Sequence, residues 1–342
     1  VKVGFRSSPF GTPRHRCEHP VEQLRHAGVE AAVLPEGAPF DGFTHVVLNR
    51  VPMAPDLEAA IARAEDGGTR VLFDVDDLVF DAEVVAALDF VRASPDPGRV
   101  VRAAQGIAAT VRRCGAGLCP TATLQRELAA RGAAARVAMN GVGDEVARLS
   151  RQARASAGRE PGRLRVGYPA GHPGHSFNLA LAAPGLAAAL SRDPRLDLVL
   201  IGPVAPPEPL APFAARVERR PYVDWRQLPF ELARLDVCIA PLVDNAFNRG
   251  KSDIKYLEAA AVEVPLLASP VGQLGESIRD GANGLLAASP ADWEPALLAL
   301  LADPGLRRRL AAAAAEDVLA TRTSGALAPG LVASLRALSG PG

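Results

Sequence analysis

One pattern is written twice along this chain. Short aliphatic runs alternate with alanine-rich amphipathic stretches over the first half, stop at a polar segment, and then resume. Such alternation belongs to a parallel sheet whose strands are joined by crossover helices, because each buried strand needs a helix to return the chain to the same edge. In the first half Val1–Phe5, Ala31–Leu34, His45–Leu48, Val71–Phe73, Gly117–Cys119 and Arg136–Met139 read as strands, with helices over Glu18–Ala27 and Asp56–Ala64. In the second half Leu164–Tyr168, Leu196–Ile201, Ala215–Arg219, Val237–Ala240 and Pro265–Ser269 read as strands. The helices there are expected over Leu179–Leu190, Pro229–Leu235, Ile254–Ala261, Trp293–Leu301 and Leu306–Ala320.

Length agrees with two blocks, since 342 residues exceed the size at which a single core usually stops growing. The polar stretch Ser150–Gly162 has no apolar period and is read as the linker. The expected organisation is a first domain over 1–155, a second over 156–320, and a C-terminal helix over 321–342 packing back on the first domain. Ligands of such sheets bind beyond the carboxyl ends of the strands, so two sheets facing each other would frame a cleft for two substrates.

Charge excludes several alternatives. Thirty-eight basic residues balance thirty-eight acidic ones, so no overall field favours nucleic acid or an anionic membrane. No apolar run is long enough to span a bilayer. The start, Val1–Phe5, reads as a strand and lacks the basic-then-apolar layout of a signal peptide. Cys17, Cys114, Cys119 and Cys238 form no CxxC pair, so they read as reduced thiols and the chain as cytoplasmic.

The most informative segment is Phe247-Asn-Arg-Gly-Lys-Ser-Asp-Ile-Lys-Tyr-Leu-Glu258. A glycine and small polar residues precede a helix, whose unpaired amides and positive dipole end suit a phosphate. Arg249 and Lys251 flank that end, and Lys251 is placed to neutralise a diphosphate as it leaves. Ser252 either donates a hydrogen bond or caps the helix. Glu258, about two turns along, is placed to accept from a pair of ribose hydroxyls. Gly250-Lys-Ser is not a P-loop, because the first glycine of GxxxxGK would fall on Asn245.

The run from Glu258 to Ser269, followed by Asp280-Gly-Ala-Asn-Gly-Leu-Leu, resembles the nucleotide-sugar core of the retaining glycosyltransferases of family 4. Leu228 to Val237, Ala240-Pro-Leu242 and the helices from Trp293 to Val318 follow in the family's order. The resemblance covers the second half; the first half is similar more loosely, at Phe73–Asp77, Cys119–Thr121 and Met139–Gly141. It implies the GT-B fold, α/β with two Rossmann-like domains facing across a cleft, and transfer of a sugar from a nucleoside-diphosphate sugar to an acceptor hydroxyl with retention. It implies no metal and no cofactor besides the donor, and an acceptor that is a small molecule or a glycan.

Two departures from the family are visible. The family's first glutamate, eight residues before Glu258, is replaced by Gly250, and the first loop of the donor domain, Gly167 to His175, lacks the usual Arg and Lys. Arg249 and Lys251 are expected to supply that charge, with Gly171 letting backbone amides approach the phosphates and His172 and His175 on the donor side. A metal held by the two histidines lacks a third ligand at suitable spacing. Tyr222, Val223 and Trp225 follow a strand where the resemblance implies the nucleobase, which the Val223 backbone is then expected to meet with aromatic packing nearby.

On the acceptor side the expected residues are Gly11, Arg14 and Arg16 in the loop after the first strand, with Asp76 and Asp77 at the end of another. Asp77 is expected to orient the acceptor hydroxyl or take its proton, and Asp76 or Asp77 alternatively caps a helix. Phe73-Asp-Val-Asp-Asp77 looks like a metal-binding Asp-x-Asp, but it ends an interior strand and is expected to lie away from the diphosphate. Arg14 and Arg16 as plain exposed charge are the alternative for those two. Two other functions fit the same residues: a sugar-nucleotide-binding partner without activity, given Gly250, and an epimerase of the same fold, with Asp76, Asp77 and Asp81 as its only carboxylates.

Overall fold

A computed structural model describes residues 1–9, 11–158 and 161–339. They form two compact units. The first comprises Val1–Gly143, Arg249–Ser252 and Thr321–Gly342; the second comprises Asp144–Asn248 and Asp253–Ala320.

The first unit is built on six parallel strands: β1 (Lys2–Ser7), β2 (Glu30–Val33), β3 (His45–Asn49), β4 (Arg70–Asp74), β5 (Ala116–Cys119) and β6 (Ala134–Val137), in the order β2-β1-β3-β4-β5-β6. All five residues of β3 are buried, as a strand covered on both faces requires. Three helices, Pro55–Asp66, Pro97–Cys114 and Ala122–Ala129, serve as crossovers. The helix Ser324–Leu338 closes the unit against the helix His19–His26, and its Leu331, Leu335 and Leu338 share one apolar core with Val3, Phe5, Leu24 and Leu118. Val142 bridges to Thr323, and Arg322 donates to the carbonyl of Asn140 at 3.0 Å, which ties the start of that helix down.

The second unit repeats the plan with β7 (Leu164–Pro169), β8 (Leu196–Ile201), β9 (Val217–Arg220), β10 (Val237–Ala240), β11 (Leu266–Ala268) and β12 (Leu285–Leu286), in the order β12-β11-β10-β7-β8-β9, again all parallel. From β7 the chain winds outward through β8 and β9, then returns to β10 and winds the other way. The order therefore reverses between β7 and β10, and in open parallel sheets that switch point is where ligands bind.

Two expectations change. The segment 150–162, read as a linker, begins as the last turns of a helix, Asp144–Ser156, that belongs to the second unit; residues 159 and 160 lie outside the described ones. Its buried face, Val146, Leu149, Ser150 and Ala153, has helical spacing, but two of the four are small or polar and hide the pattern. Also, neither Asp76 nor Asp77 caps a helix. That task falls to Asp81, which accepts from the amides of Glu83 and Val84 at the start of the helix Ala82–Ala86.

Candidate active site

In the first unit the functional side chains collect at the carboxyl ends of β1, β3 and β4. Phe10 lies outside the described residues, and the loop after β1 resumes at Gly11, whose amide donates to the Ser8 carbonyl at 2.9 Å. A Cβ on Gly11 would stand 2.0 Å from Ser7 Oγ and 2.4 Å from Asn49 Oδ1, so only glycine fits. Thr12 follows, giving its amide to Asn49 Oδ1 at 3.0 Å and its hydroxyl to Asp76 at 2.6 Å. A single π-turn, Arg14–Glu18, then leads into the helix His19–His26 and turns Arg16 inward.

Arg16 is buried, not exposed charge. Its guanidinium binds both carboxylate oxygens of Asp74, at 3.0 and 2.6 Å, and donates to the Ala138 carbonyl at 2.7 Å and to Asn140 Oδ1 at 2.9 Å. Asn140 in turn donates to Ser252 Oγ at 2.8 Å. Ser252 is thus fixed from β6's side, and it is not the helix cap, because the helix starts at Ile254 with Asp253 in the cap position. Arg14 is half-buried and its guanidinium lies against the His15 ring. Burial, then the neighbouring Arg14, His19 and Arg16, push the His15 pKa well below its ordinary value.

Beside this lies a second set of charges, in which Asp76, Asp77 and Lys251 were singled out in the sequence and Arg50 was not. Arg50, buried and in the left-handed region at φ 49°, reaches Asp76 at 2.5 Å and Asp77 Oδ2 at 2.6 Å. Lys251 meets the other oxygen of Asp77 at 3.2 Å. Burial acts to raise the Asp76 pKa, but Arg50 and the Thr12 hydroxyl outweigh it and hold the carboxyl below its usual range. Three carboxylates, Asp74, Asp76 and Asp77, therefore face three cations, Arg16, Arg50 and Lys251. Phe73–Asp77 was expected to lie away from the proposed diphosphate site, but Asp77 touches Lys251, the lysine expected to serve that site. Lys251 is held in place by Thr121, whose hydroxyl donates to the Gly250 carbonyl at 3.2 Å while also capping the helix Ala122–Ala129.

In the second unit, the loop after β7 carries Gly171 and His172, both exposed, and the half-buried His175 opens the helix His175–Arg192. Added bulk at Gly171 would meet nothing within 4 Å. His172 Nδ1 accepts from the Gly174 amide at 3.0 Å, and the Tyr168 hydroxyl donates to the His175 carbonyl at 3.1 Å, so the turn is tied at both ends. Gly202, after β8, has φ 106°, and a Cβ there would lie 1.9 Å from the Ala170 carbonyl oxygen. From the same helix, buried Asn178 accepts from the Val243 amide and from Asn248 Nδ2, both at 3.0 Å, shaping the turn that precedes exposed Arg249. Glu258 is half-buried on the helix Ile254–Ala261. Val223 is half-buried after β9, followed by Trp225, which is half-exposed under the Arg226 guanidinium at 4.2 Å. Lys255 was not singled out from the sequence; its ammonium donates to the Pro169 carbonyl at the end of β7 and lies 5.0 Å from the Tyr168 ring centroid.

No group of three or more His, Cys, Asp or Glu side chains able to hold a metal occurs among the described residues, and no helix among them is long and apolar enough to cross a membrane. All four cysteines are free and buried, and burial pushes Cys114, Cys119 and Cys238 up to about 12.

Residues 174–303, which include everything from His175 through Glu258 to the helix at Trp293, match the family described as glycosyl transferases group 1. A D-inositol 3-phosphate glycosyltransferase of Streptomyces bingchenggensis is 32% identical over 190 residues, covering 47% of this chain and 40% of the relative. The chain thus spans about two fifths of that relative's length. Among solved structures, a sucrose-phosphate synthase from Thermosynechococcus elongatus superposes with a TM-score of 0.66 at 16% identity, covering 99% of both chains. Anabaena HepE in complex with UDP-glucose gives 0.63 at 13% identity, covering 98% of this chain and 99% of that one. The two Rossmann-like α/β units have the fold of these GT-B glycosyltransferases.

Proposed function

We propose that the protein transfers a sugar from a nucleoside-diphosphate sugar to an acceptor hydroxyl, as a retaining, metal-independent glycosyltransferase of the family 4 type. One observation carries the reading: the segment that matches the group 1 family contains the whole run from Arg249 to Glu258, the stretch whose chemistry suits a nucleotide-sugar. HepE, which has the same fold, binds UDP-glucose, and this supports a diphosphate donor.

In this proposal residues 156–320 bind the donor and residues 1–155 serve the acceptor, a small molecule or glycan. Glu258 accepts from the ribose hydroxyls, the Val223 backbone meets the base, and Gly171, His172 and His175 line the phosphates with Arg249, Gly250 and Ser252. Lys251 neutralises the leaving diphosphate. Asp77, held by Arg50 on one oxygen and Lys251 on the other, orients the acceptor hydroxyl. Gly11 and Arg14 border the acceptor, while Arg16 works through Asp74 and Asn140 to set Ser252. The leaving phosphate takes the acceptor proton on the face it departs from, so no protein nucleophile is needed.

Nucleoside diphosphate release from UDP-, ADP- and GDP-sugars tests the reading. Lys251→Ala is expected to lower kcat about 10²- to 10³-fold, the usual loss when a positioned charge-stabilising group is removed; turnover at the wild-type rate would remove its role. Glu258→Ala is expected to weaken nucleotide binding, so unchanged affinity contradicts the ribose assignment. Activity should survive excess EDTA, and NMR of the product should show the donor's anomeric configuration.

A further inference from the structure

We propose that Asn140 is a positioning residue, which turns the Ser252 hydroxyl so that its proton is offered to a negatively charged oxygen of the ligand. The inference rests on the reading of Ser252 as a phosphate-side residue and adds the direction in which its hydrogen bond runs. That direction starts at Arg16. A guanidinium has donors only, so the Asn140 atom that takes Arg16 Nη1 at 2.9 Å is the amide oxygen. The other end of the amide is then Nδ2, which only donates, and it gives a hydrogen to Ser252 Oγ at 2.8 Å. Ser252 therefore accepts from Asn140, and its own proton points elsewhere. The serine is half-buried, and none of the described residues accepts that proton.

The surroundings lock this polarity. Asp74 grips both sides of the Arg16 fork and also accepts from Asn49 Nδ2 at 2.9 Å. Arg16, Asp74 and Asn140 are buried, so water does not compete for their bonds. A flipped Asn140 would set its NH2 group against the guanidinium and lose the Arg16 bond along with the Ser252 one. The serine itself is held from two sides of its segment, because Thr121 donates to the carbonyl of Gly250, two residues earlier, at 3.2 Å. Asn140, Thr121 and residues 249–252 all belong to the first unit. The run Arg16 to Asn140 to Ser252 is thus a chain of donors that begins at a cation, and bonds in such a chain polarise and strengthen one another. What it meets at its far end is an acceptor. A phosphate oxygen on which charge accumulates suits it best, whereas a ligand hydroxyl that has to donate does not.

Reversing the amide tests the direction. Asn140→Asp keeps the shape but presents an oxygen to Ser252, which then gives its proton to the new carboxylate and turns its lone pairs toward the ligand. Binding of UDP, ADP and GDP is measured by calorimetry for the wild type, Asn140→Asp, Ser252→Ala and the double variant, with Tm as the check on folding. Ser252→Ala is expected to weaken the bound diphosphate about 10- to 100-fold, as for one lost hydrogen bond to a charged group. Asn140→Asp should cost at least as much when Ser252 is present, but stay within about threefold of no effect in the Ser252→Ala background. Ser252→Thr, which restores a hydroxyl, should restore both the affinity and its dependence on Asn140. Asn140→Ala removes the amide without adding charge and serves if the aspartate variant does not fold; about a 3- to 10-fold loss is expected with Ser252 present and none in the Ser252→Ala background. An equal loss in the two backgrounds overturns the proposal, as does wild-type affinity in Asn140→Asp. If Ser252→Ala binds each diphosphate as tightly as the wild type, or the wild type binds none, the reading of Ser252 fails and takes the proposal with it.

Discussion

Arg16 shows how much of this site is internal scaffolding. Replacing it with Met leaves Asp74 buried without its partner, and the usual penalty for such an orphaned carboxylate is about 3–5 kcal/mol. Urea unfolding should show that loss in Arg16→Met and a partial recovery when Asp74→Asn is added. Gly11→Ala drives a methyl group into Ser7 and Asn49 and should lower stability by about 1–3 kcal/mol, read as a fall in Tm. Lys251, Ser252 and Asp77 could be singled out in the sequence as candidates, because small polar and charged residues ahead of a helix or after a strand leave few structural uses. Their partners were not. Arg50 lies 26 and 27 residues before the carboxylates it grips, and Lys255 looks like any surface lysine until the end of β7 is beside it. Only folding brings such pairs together, so no local spacing announces them. Arg16 was visible as a candidate but its burial was not, since the π-turn that swings it inward has no sequence signature of its own.

Elements were easier to read than contacts, and the reason is which residues carry the pattern. Strands such as Leu196–Ile201 and Val237–Ala240 stand out because nearly every position is aliphatic and buried. The helix Pro97–Cys114 escaped because its buried face is carried by Ala104, Ile107, Val111 and Cys114, with Thr110 among them, and Arg99, Arg102, Arg112 and Arg113 interrupt the apolar run. β12, two residues long, falls below any periodicity. At this scale Asp81 makes a prediction about pH. Burial acts to raise its pKa, but the Val84 amide, Arg131 and the Glu83 amide outweigh it and hold the carboxyl below its ordinary value. The folded state therefore favours the ionised form. Its contribution is complete above about pH 4, the unfolded value, and is lost as pH falls through the lowered one. Asp81→Ala should cost about 1 kcal/mol at pH 7. The gap between variant and wild type in chemical denaturation should narrow steadily below about pH 4.

For the whole molecule, the decisive feature is that the helix Ser324–Leu338 belongs to the unit that begins at Val1. Leu331, Leu335 and Leu338 are buried in the core of β1 and the helix His19–His26. Leu335→Ala should therefore lower stability by about 2–5 kcal/mol. A fragment ending at Gly143 should fail to give a cooperative thermal transition, whereas the same fragment joined to residues 321–339 through a flexible linker should regain one. Ribosomes make the chain in the opposite order to the one in which its parts can be finished. At roughly 5–20 residues per second, on the order of ten to forty seconds separate synthesis of Gly143 from synthesis of the helix that seals the same unit. During that interval the earlier of the two units has its greasy seam open, while the later Rossmann-like unit already has nearly all of its own sequence. The amino-terminal half is the one that a trigger-factor-like holding chaperone would need to shelter.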